Sequence, residues 1–315
     1  MELIAIDVER IGAEYARSLG EQLERGNILL LDPTPFLPSE KDCEFLRSQK
    51  QTDSGAHKNI AYKPHLNKIT GADADSTSAE QMKRILSAYS AGALDYLSRL
   101  FPDYARQWKV DYASFRPVEE QGRKLPIRHR NDLMHLDAFP TRPTHGGRIL
   151  RAFTNLHPTR DRVWGTAGPF EELAKKYAMD AGLGQVSTPL AETRRRIAQL
   201  GKLVGLRVPN RSAYDEFMLR FHHYLKTNAD FQQNGQTQTA AFPPGSTWIT
   251  FTDQVAHKAA SGQYAIEQTC IVPYAAMLFP EIAPVSVLEK LAGRKLVSPQ
   301  ALAAAASEQP KRAHA

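Results

Sequence analysis

Residues 131–158, NDLMHLDAFPTRPTHGGRILRAFTNLHP, carry the pattern on which the fold turns. His135 and Asp137 stand in the order His-x-Asp. A turn rich in Pro and Gly follows, then the apolar run RILRAFTN, which contains Arg148 and Arg151. Side chains two apart on a strand point to one face, so an imidazole and a carboxylate at this spacing converge. Two ligands do not enclose a metal ion, and a third must come from a distant strand. His257, which ends the aromatic run in TWITFTDQVAH, is the candidate, with His145, His157 and His129 next in line.

A lone His-x-Asp has a plain meaning: a surface imidazole beside a turn carboxylate. Here the turn, the arginine-bearing strand and the second strand ending in His257 favour a metal site. Two imidazoles and one carboxylate form the facial set of non-heme Fe(II) oxygenases. His135, Asp137 and His257 are therefore the expected iron ligands. If RILRAFTN is a regular strand, Arg151 shares a face with Phe153 and Asn155, and Arg148 points the other way.

Outward from this centre the chain alternates helical and extended patterns. Ile11, Tyr15, Leu19 and Leu23 predict a helix over 7–25, closed by Gly26. NILLLD reads as a strand, and Ser39 as the cap of a helix running to about Arg47. HKNIAYKP is extended and basic, and its Lys58, Tyr62 and Lys63 could touch an anionic ligand or simply face solvent. Met82, Ile85, Tyr89, Ala93, Tyr96 and Leu100 form the core stripe of a long helix over 77–100. Residues 111–117 return to strand. Residues 168–233 are helical in three blocks, and their adjacent His222 and His223 face different sides of a helix, as structural histidines do. Residues 241–272 return to strands, in which Tyr264, Ile266, Gln268, Cys270 and Val272 share a face. A short helix follows over 285–291. Strands interrupted by a helical block predict a mainly β fold with helical decorations. The expected architecture is a double-stranded β-helix, or cupin-like jelly roll, with N-terminal helices and a helical insertion over 168–233. One domain over 1–297 and a flexible Ala-rich tail over 298–315 are expected.

With 315 residues, 42% of them hydrophobic, the chain can bury a sizeable core. The net charge of +6 points to an anionic partner. No recognition motif supports nucleic acid. No Gly-rich phosphate loop or Gly-x-Ser-x-Gly elbow is present, and no apolar run approaches the roughly 18 residues that span a bilayer. Cys43 and Cys270 lack metal-ligand spacing and read as buried free thiols. The start of the chain does not read as a signal peptide, so a cytoplasmic location is expected, with peripheral contact at the inner membrane left open.

The stretch LPIRHRNDLMHLDAFPTRPTHGGRILRAFTNLHP, with KNIAYKP upstream and FTDQVAHKAASGQYAIEQT downstream, resembles the Kdo hydroxylase family over about residues 25–295. The resemblance implies an Fe(II)/2-oxoglutarate-dependent dioxygenase that consumes O2. It implies hydroxylation at the 3-position of 3-deoxy-D-manno-oct-2-ulosonic acid (Kdo) in a lipopolysaccharide or lipid A precursor, with succinate and CO2 released. The 2-oxoglutarate carboxylate needs a cation. Many such enzymes carry one about ten positions after the second His, where this chain has Glu267 and Gln268. Others carry it on the strand after His-x-Asp, and Arg151 fits there, with Asn155 and Gln268 in support and Arg148 as the alternative. Arg123, Lys124, Arg128 and Arg130 precede His135, and Arg142 follows Asp137. Arg128 and Arg130 would share a face in an extended segment and are the expected substrate contacts. The remaining alternatives are a hydroxylase of another anionic substrate or of a protein residue, and a metal-binding jelly roll without catalysis.

Overall fold

The computed structural model describes residues 1–10, 12–49, 59–71, 76–122, 125–200, 210–235 and 237–307, so Ile11, Lys58, Arg123 and Lys124 lie outside the described residues. The chain opens with β1 (Leu3–Ala5), α1 (Ala13–Glu24) and β2 (Ile28–Leu31). Helix α1 buries Ala16, Leu19 and Leu23. It begins later than the spacing predicts because Val8–Arg10 forms a separate 3-10 turn. Helix α2 (Glu40–Ser48) starts at Ser39, whose hydroxyl accepts the Asp42 N–H at 3.2 Å. Next come β3 (Ile60–Lys63), β4 (Lys68–Thr70), α3 (Ser76–Leu100), α4 (Pro102–Ala105) and β5 (Lys109–Arg116). The stripe from Met82 to Leu100 on α3 is buried as its period predicts.

After the His-x-Asp segment lie β6 (Arg148–Asn155) and β7 (Arg162–Thr166). The helical run is α5 (Phe170–Tyr177), α6 (Leu183–Val186), α7 (Pro189–Leu200), α8 (Ala213–Thr227) and α9 (Ala229–Asn234). Strands β8 (Gln238–Phe242), β9 (Thr247–Phe251), β10 (His257–Ser261) and β11 (Ala265–Val272) precede α10 (Pro284–Ala292) and α11 (Pro299–Ser307). No helix among the described residues is long and apolar enough to cross a membrane.

The strands form two sheets. The larger has the order β1-β2-β9-β6-β11-β5-β3-β4, and the smaller the order β10-β7-β8. Among the described residues only the β1–β2 pair is parallel. At the centre of the larger sheet, β6 is buried along its whole length and β11 nearly so. One face of this sheet packs against α1 and α3. On the other face, Phe153, Trp164, Phe242 and Trp248 join the two sheets, and Phe242 stacks on Trp248 with centroids 4.1 Å apart. Helices α5 to α9 leave and return between β7 and β8, which pair directly. Their core includes Met134 and Leu136, so the helical block supports the segment that holds His135 and Asp137.

Two expectations need correction. The fold is mixed rather than mainly β, because more of the described residues lie in helices than in strands. The tail expected to be flexible from Ser298 begins instead as α11. The Ser298 hydroxyl accepts the Ala301 N–H at 3.2 Å, and Ala301 and Leu302 pack on the helical core. Alanine has the highest helix propensity, and a Ser-Pro start suits an N-terminus. Residues 308–315 lie outside the described residues.

Candidate metal centre

His135 is not part of a regular strand. It meets His257, the first residue of β10, across an isolated antiparallel bridge. The His135 N–H donates to the His257 carbonyl at 3.0 Å, and the His257 N–H returns the bond at 2.9 Å. The Asp137 N–H donates to the Thr252 carbonyl at 2.9 Å. The segment is thus extended enough for both side chains to share a face, as their spacing predicts. From below, α9 clamps the same segment: Gln232 accepts the Met134 N–H at 3.0 Å and donates to the Met134 carbonyl at 2.8 Å.

One ligand atom from each of His135, Asp137 and His257 lies within 4.8 Å of the others. The His135 Nδ1–H donates to the Leu133 carbonyl at 2.7 Å, and the His257 Nδ1–H to the Val255 carbonyl at 2.8 Å. These bonds select the tautomer whose free lone pair is on Nε2. Burial pushes His135 well below the ordinary imidazole value and lowers His257 too, so both rings are neutral donors at neutral pH. Burial pushes the Asp137 carboxyl up, but Arg151, His257, His135 and a hydrogen bond from Thr252 together hold the group well below the usual carboxylate range. Two neutral imidazole nitrogens and an ionised carboxylate on one face suit Fe(II).

Asp137 Oδ1 faces His135 Nε2 at 3.7 Å, while Oδ2 accepts from Arg151 Nη1 at 2.6 Å. Arg151 Nη2 donates to Glu267, which also accepts from Arg116 Nε at 3.0 Å. Arg116 Nη1 lies 3.6 Å from Glu120. The chain Asp137–Arg151–Glu267–Arg116–Glu120 alternates in sign and is largely buried, the arrangement that makes charge tolerable in an interior. The pocket that contains the triad is lined among others by Arg116, Arg151, Phe153, Arg162 and Trp164. Trp164 stacks on His257 at 4.6 Å between centroids and walls the site.

The other expected residues divide by strand face. Arg151 lines the pocket. Arg148 points away, donating Nε to Asp253 Oδ2 at 2.8 Å, and so pins the turn that leads to His257. Asn155 is not in the pocket, because its amide donates to the Arg160 and Phe242 carbonyls at 2.9 and 3.0 Å. Gln268 is also outside it. Its alternation with Ile266 and Cys270 turns it to the helical side, where it accepts from Ser90 on α3 at 2.7 Å. Glu267 takes the inward face. Arg128 is exposed, and Arg130 is tied to Asp132 at 3.0 and 2.6 Å. Cys43 and Cys270 are buried free thiols.

Sequence reading missed Arg116, Arg162 and Trp164. The Arg162-Val-Trp164 alternation was a usable signal, but β7 is short and follows a turn.

These features define a class, the non-heme Fe(II) dioxygenases that use 2-oxoglutarate. Comparison with known proteins narrows it. The family described as 3-deoxy-D-manno-oct-2-ulosonic acid (Kdo) hydroxylase matches residues 8–295, and the chain belongs to that family. The apo structure of the Kdo hydroxylase KdoO, a non-heme Fe(II) α-ketoglutarate-dependent dioxygenase, is 31% identical. The match covers 94% of this chain and 98% of that one, with a TM-score of 0.82. KdoO with α-ketoglutarate and Fe(III) bound is 33% identical over the same shares, with a TM-score of 0.80. KdoO with cobalt(II) matches equally, with a TM-score of 0.81. No curated protein matches the chain.

Proposed function

We propose that the protein, built on a double-stranded β-helix, hydroxylates the 3-position of Kdo in a lipopolysaccharide or lipid A precursor. The carrying observation is the convergence of His135, Asp137 and His257 beside a guanidinium-lined pocket in a chain of the Kdo hydroxylase family. Bound Fe(II) supplies O2 activation, with 2-oxoglutarate oxidised to succinate and CO2 as the acceptor C–H bond gains a hydroxyl. The protein's own part is to position and to exclude water. His135 and His257 present Nε2 because their Nδ1–H groups are held by carbonyls. Arg151 holds one oxygen of Asp137 and leaves the other for the ion. Phe153 and Trp164 give the pocket dry walls.

The cosubstrate anchor is assigned to Arg162 rather than to Arg151. Both terminal nitrogens of Arg151 are engaged by Asp137 and Glu267. Arg162 donates Nη1 to the Gly262 carbonyl at 2.8 Å, its buried Nε has no partner, and no ion pair engages it among the described residues. A planar guanidinium facing a pocket in this state suits a carboxylate. Arg162→Ala is expected to raise the 2-oxoglutarate KM roughly ten- to a hundred-fold, the worth of a charge-assisted contact, with Fe(II) binding retained. Arg151→Ala is expected to weaken Fe(II) binding as well, because it frees Asp137. The reverse pattern, with only Arg151→Ala changing 2-oxoglutarate dependence, would return the anchor to Arg151.

Mass spectrometry of lipopolysaccharide from cells expressing the enzyme tests the substrate. A Kdo unit heavier by one oxygen, hydroxylated at the 3-position, is expected. Unchanged Kdo in the presence of enzyme that still decarboxylates 2-oxoglutarate would move the substrate to another anionic compound or a protein residue.

A further inference from the structure

Helix α8 turns His222 and Lys226, one helical turn apart, to one face. The His222 ring stands edge-on to the His135 ring, 5.1 Å between centroids, and its Nδ1–H donates to the Leu136 carbonyl at 2.6 Å. Lys226 therefore lies one turn along the face that meets the metal-ligand segment. It is 4% exposed. Its Nζ donates to the Arg128 carbonyl at 3.4 Å, and no carboxylate of the described residues comes within 4.0 Å of it. An ammonium has three protons to donate, so a buried one with a single long bond to a neutral oxygen lacks its natural partner. Burial lowers the Lys226 pKa to about 8, against the pull of Asp137, Glu120 and Asp132, so the group remains mostly charged at neutral pH. The cations expected from sequence to meet the acceptor are less suited. Arg130 is neutralised by Asp132, and Arg128 is exposed.

We propose that Lys226 is the binding site for the acceptor's carboxylate, on the α8 side of the iron centre and separate from Arg162. The inference rests on the sugar-acid reading above and deepens it: an ulosonic acid carries the anion that this buried cation lacks. Fixing that carboxylate beside His135 restricts which C–H bond of the acceptor can face the metal.

Lys226→Met keeps the length and removes the charge, while Lys226→Arg keeps the charge. Both would be assayed with Kdo-lipid A and with the same acceptor converted to its carboxamide. Fe(II) and 2-oxoglutarate binding would be read from the visible absorption band of the anaerobic complex, and folding from Tm. Lys226→Met is expected to raise the acceptor KM on the order of ten- to a hundred-fold. Its band, its 2-oxoglutarate KM and its Tm should stay those of the wild type. The wild type should prefer carboxylate to carboxamide by the same factor, Lys226→Met should not distinguish them, and Lys226→Arg should recover most of the preference. A Lys226→Met enzyme that keeps the wild-type acceptor KM, or still prefers the carboxylate, overturns the proposal. So does a rise confined to the 2-oxoglutarate KM. A wild-type enzyme that forms the band yet hydroxylates neither acceptor overturns the substrate reading itself, and this proposal with it.

Discussion

His257→Ala is expected to abolish turnover while leaving the fold intact. The substitution removes an Nε2 donor whose direction is set by the Nδ1–H bond to the Val255 carbonyl. It leaves in place the backbone bonds between residues 135 and 257, which do not depend on the side chain. Loss of a partner behind a metal ligand typically costs ten- to a hundred-fold in metal affinity or activity, and loss of the ligand itself should cost more than that roughly hundred-fold. Fe(II) titration and succinate release measure the two effects. Wild-type succinate release from the variant would remove His257 from the ligand set. The structure makes His145 and His157 poor substitutes. His145 lies 3.3 Å from Asp215, and His157 accepts backbone N–H groups of its own turn.

Glu267→Ala should produce the largest loss of stability around the site. Glu267 joins Arg116 to Arg151, and all three side chains are largely buried. Burial pushes the Glu267 carboxyl up, but Arg116 and Arg151 outweigh it and hold the group below its usual value. Without this carboxylate Arg116 keeps only the longer contact to Glu120 and Arg151 only Asp137, so two buried guanidiniums lose the anion between them. Removing one partner of a buried pair costs about 3–5 kcal/mol, because the remaining charge is uncompensated. The lost stability should appear in urea unfolding, and Fe(II) affinity should fall with it, since Arg151 is no longer held against Asp137. Glu267→Gln keeps the shape and one acceptor oxygen, and should fall between. A Glu267→Ala variant as stable as the wild type would show that the arginines have other partners of equal worth.

This cluster explains why the usual cation position after the second His is acidic here. A carboxylate at residue 267 would repel a dianionic cosubstrate if it stood alone. It does not stand alone, because β11 lies between β5 and β6, whose Arg116 and Arg151 it serves. Its task is to orient Arg151, and through Arg151 the metal-binding carboxylate. On the assignment proposed above, the arginine on β7, in the other sheet, meets the cosubstrate.

The His-x-Asp pair, the long apolar stripe of α3, the caps at Ser39 and the alternation along β6 and β11 were legible because each depends on residues within a few positions of one another. Side-chain period alone separated Arg148 from Arg151, and on β11 it grouped Gln268 with Ile266 and Cys270, but it did not show that this face lies against α3 rather than the cosubstrate. What a face meets is a different matter. Arg151 could be identified as inward-facing, but not that Asp137 and Glu267 would occupy both its terminal nitrogens. Arg162 and Lys226 carry no local mark, since one is a strand arginine and the other a helix lysine like many that face water. The pairing of β7 with β10 brings Arg162 to the pocket, and the packing of α8 against the segment around residues 134–136 buries Lys226. Sequence by itself determined which residues can bind iron and which way the strands turn them. Tertiary structure decided which buried charges find partners and which remain for ligands, because burial and long-range pairing depend on segments far apart in the chain.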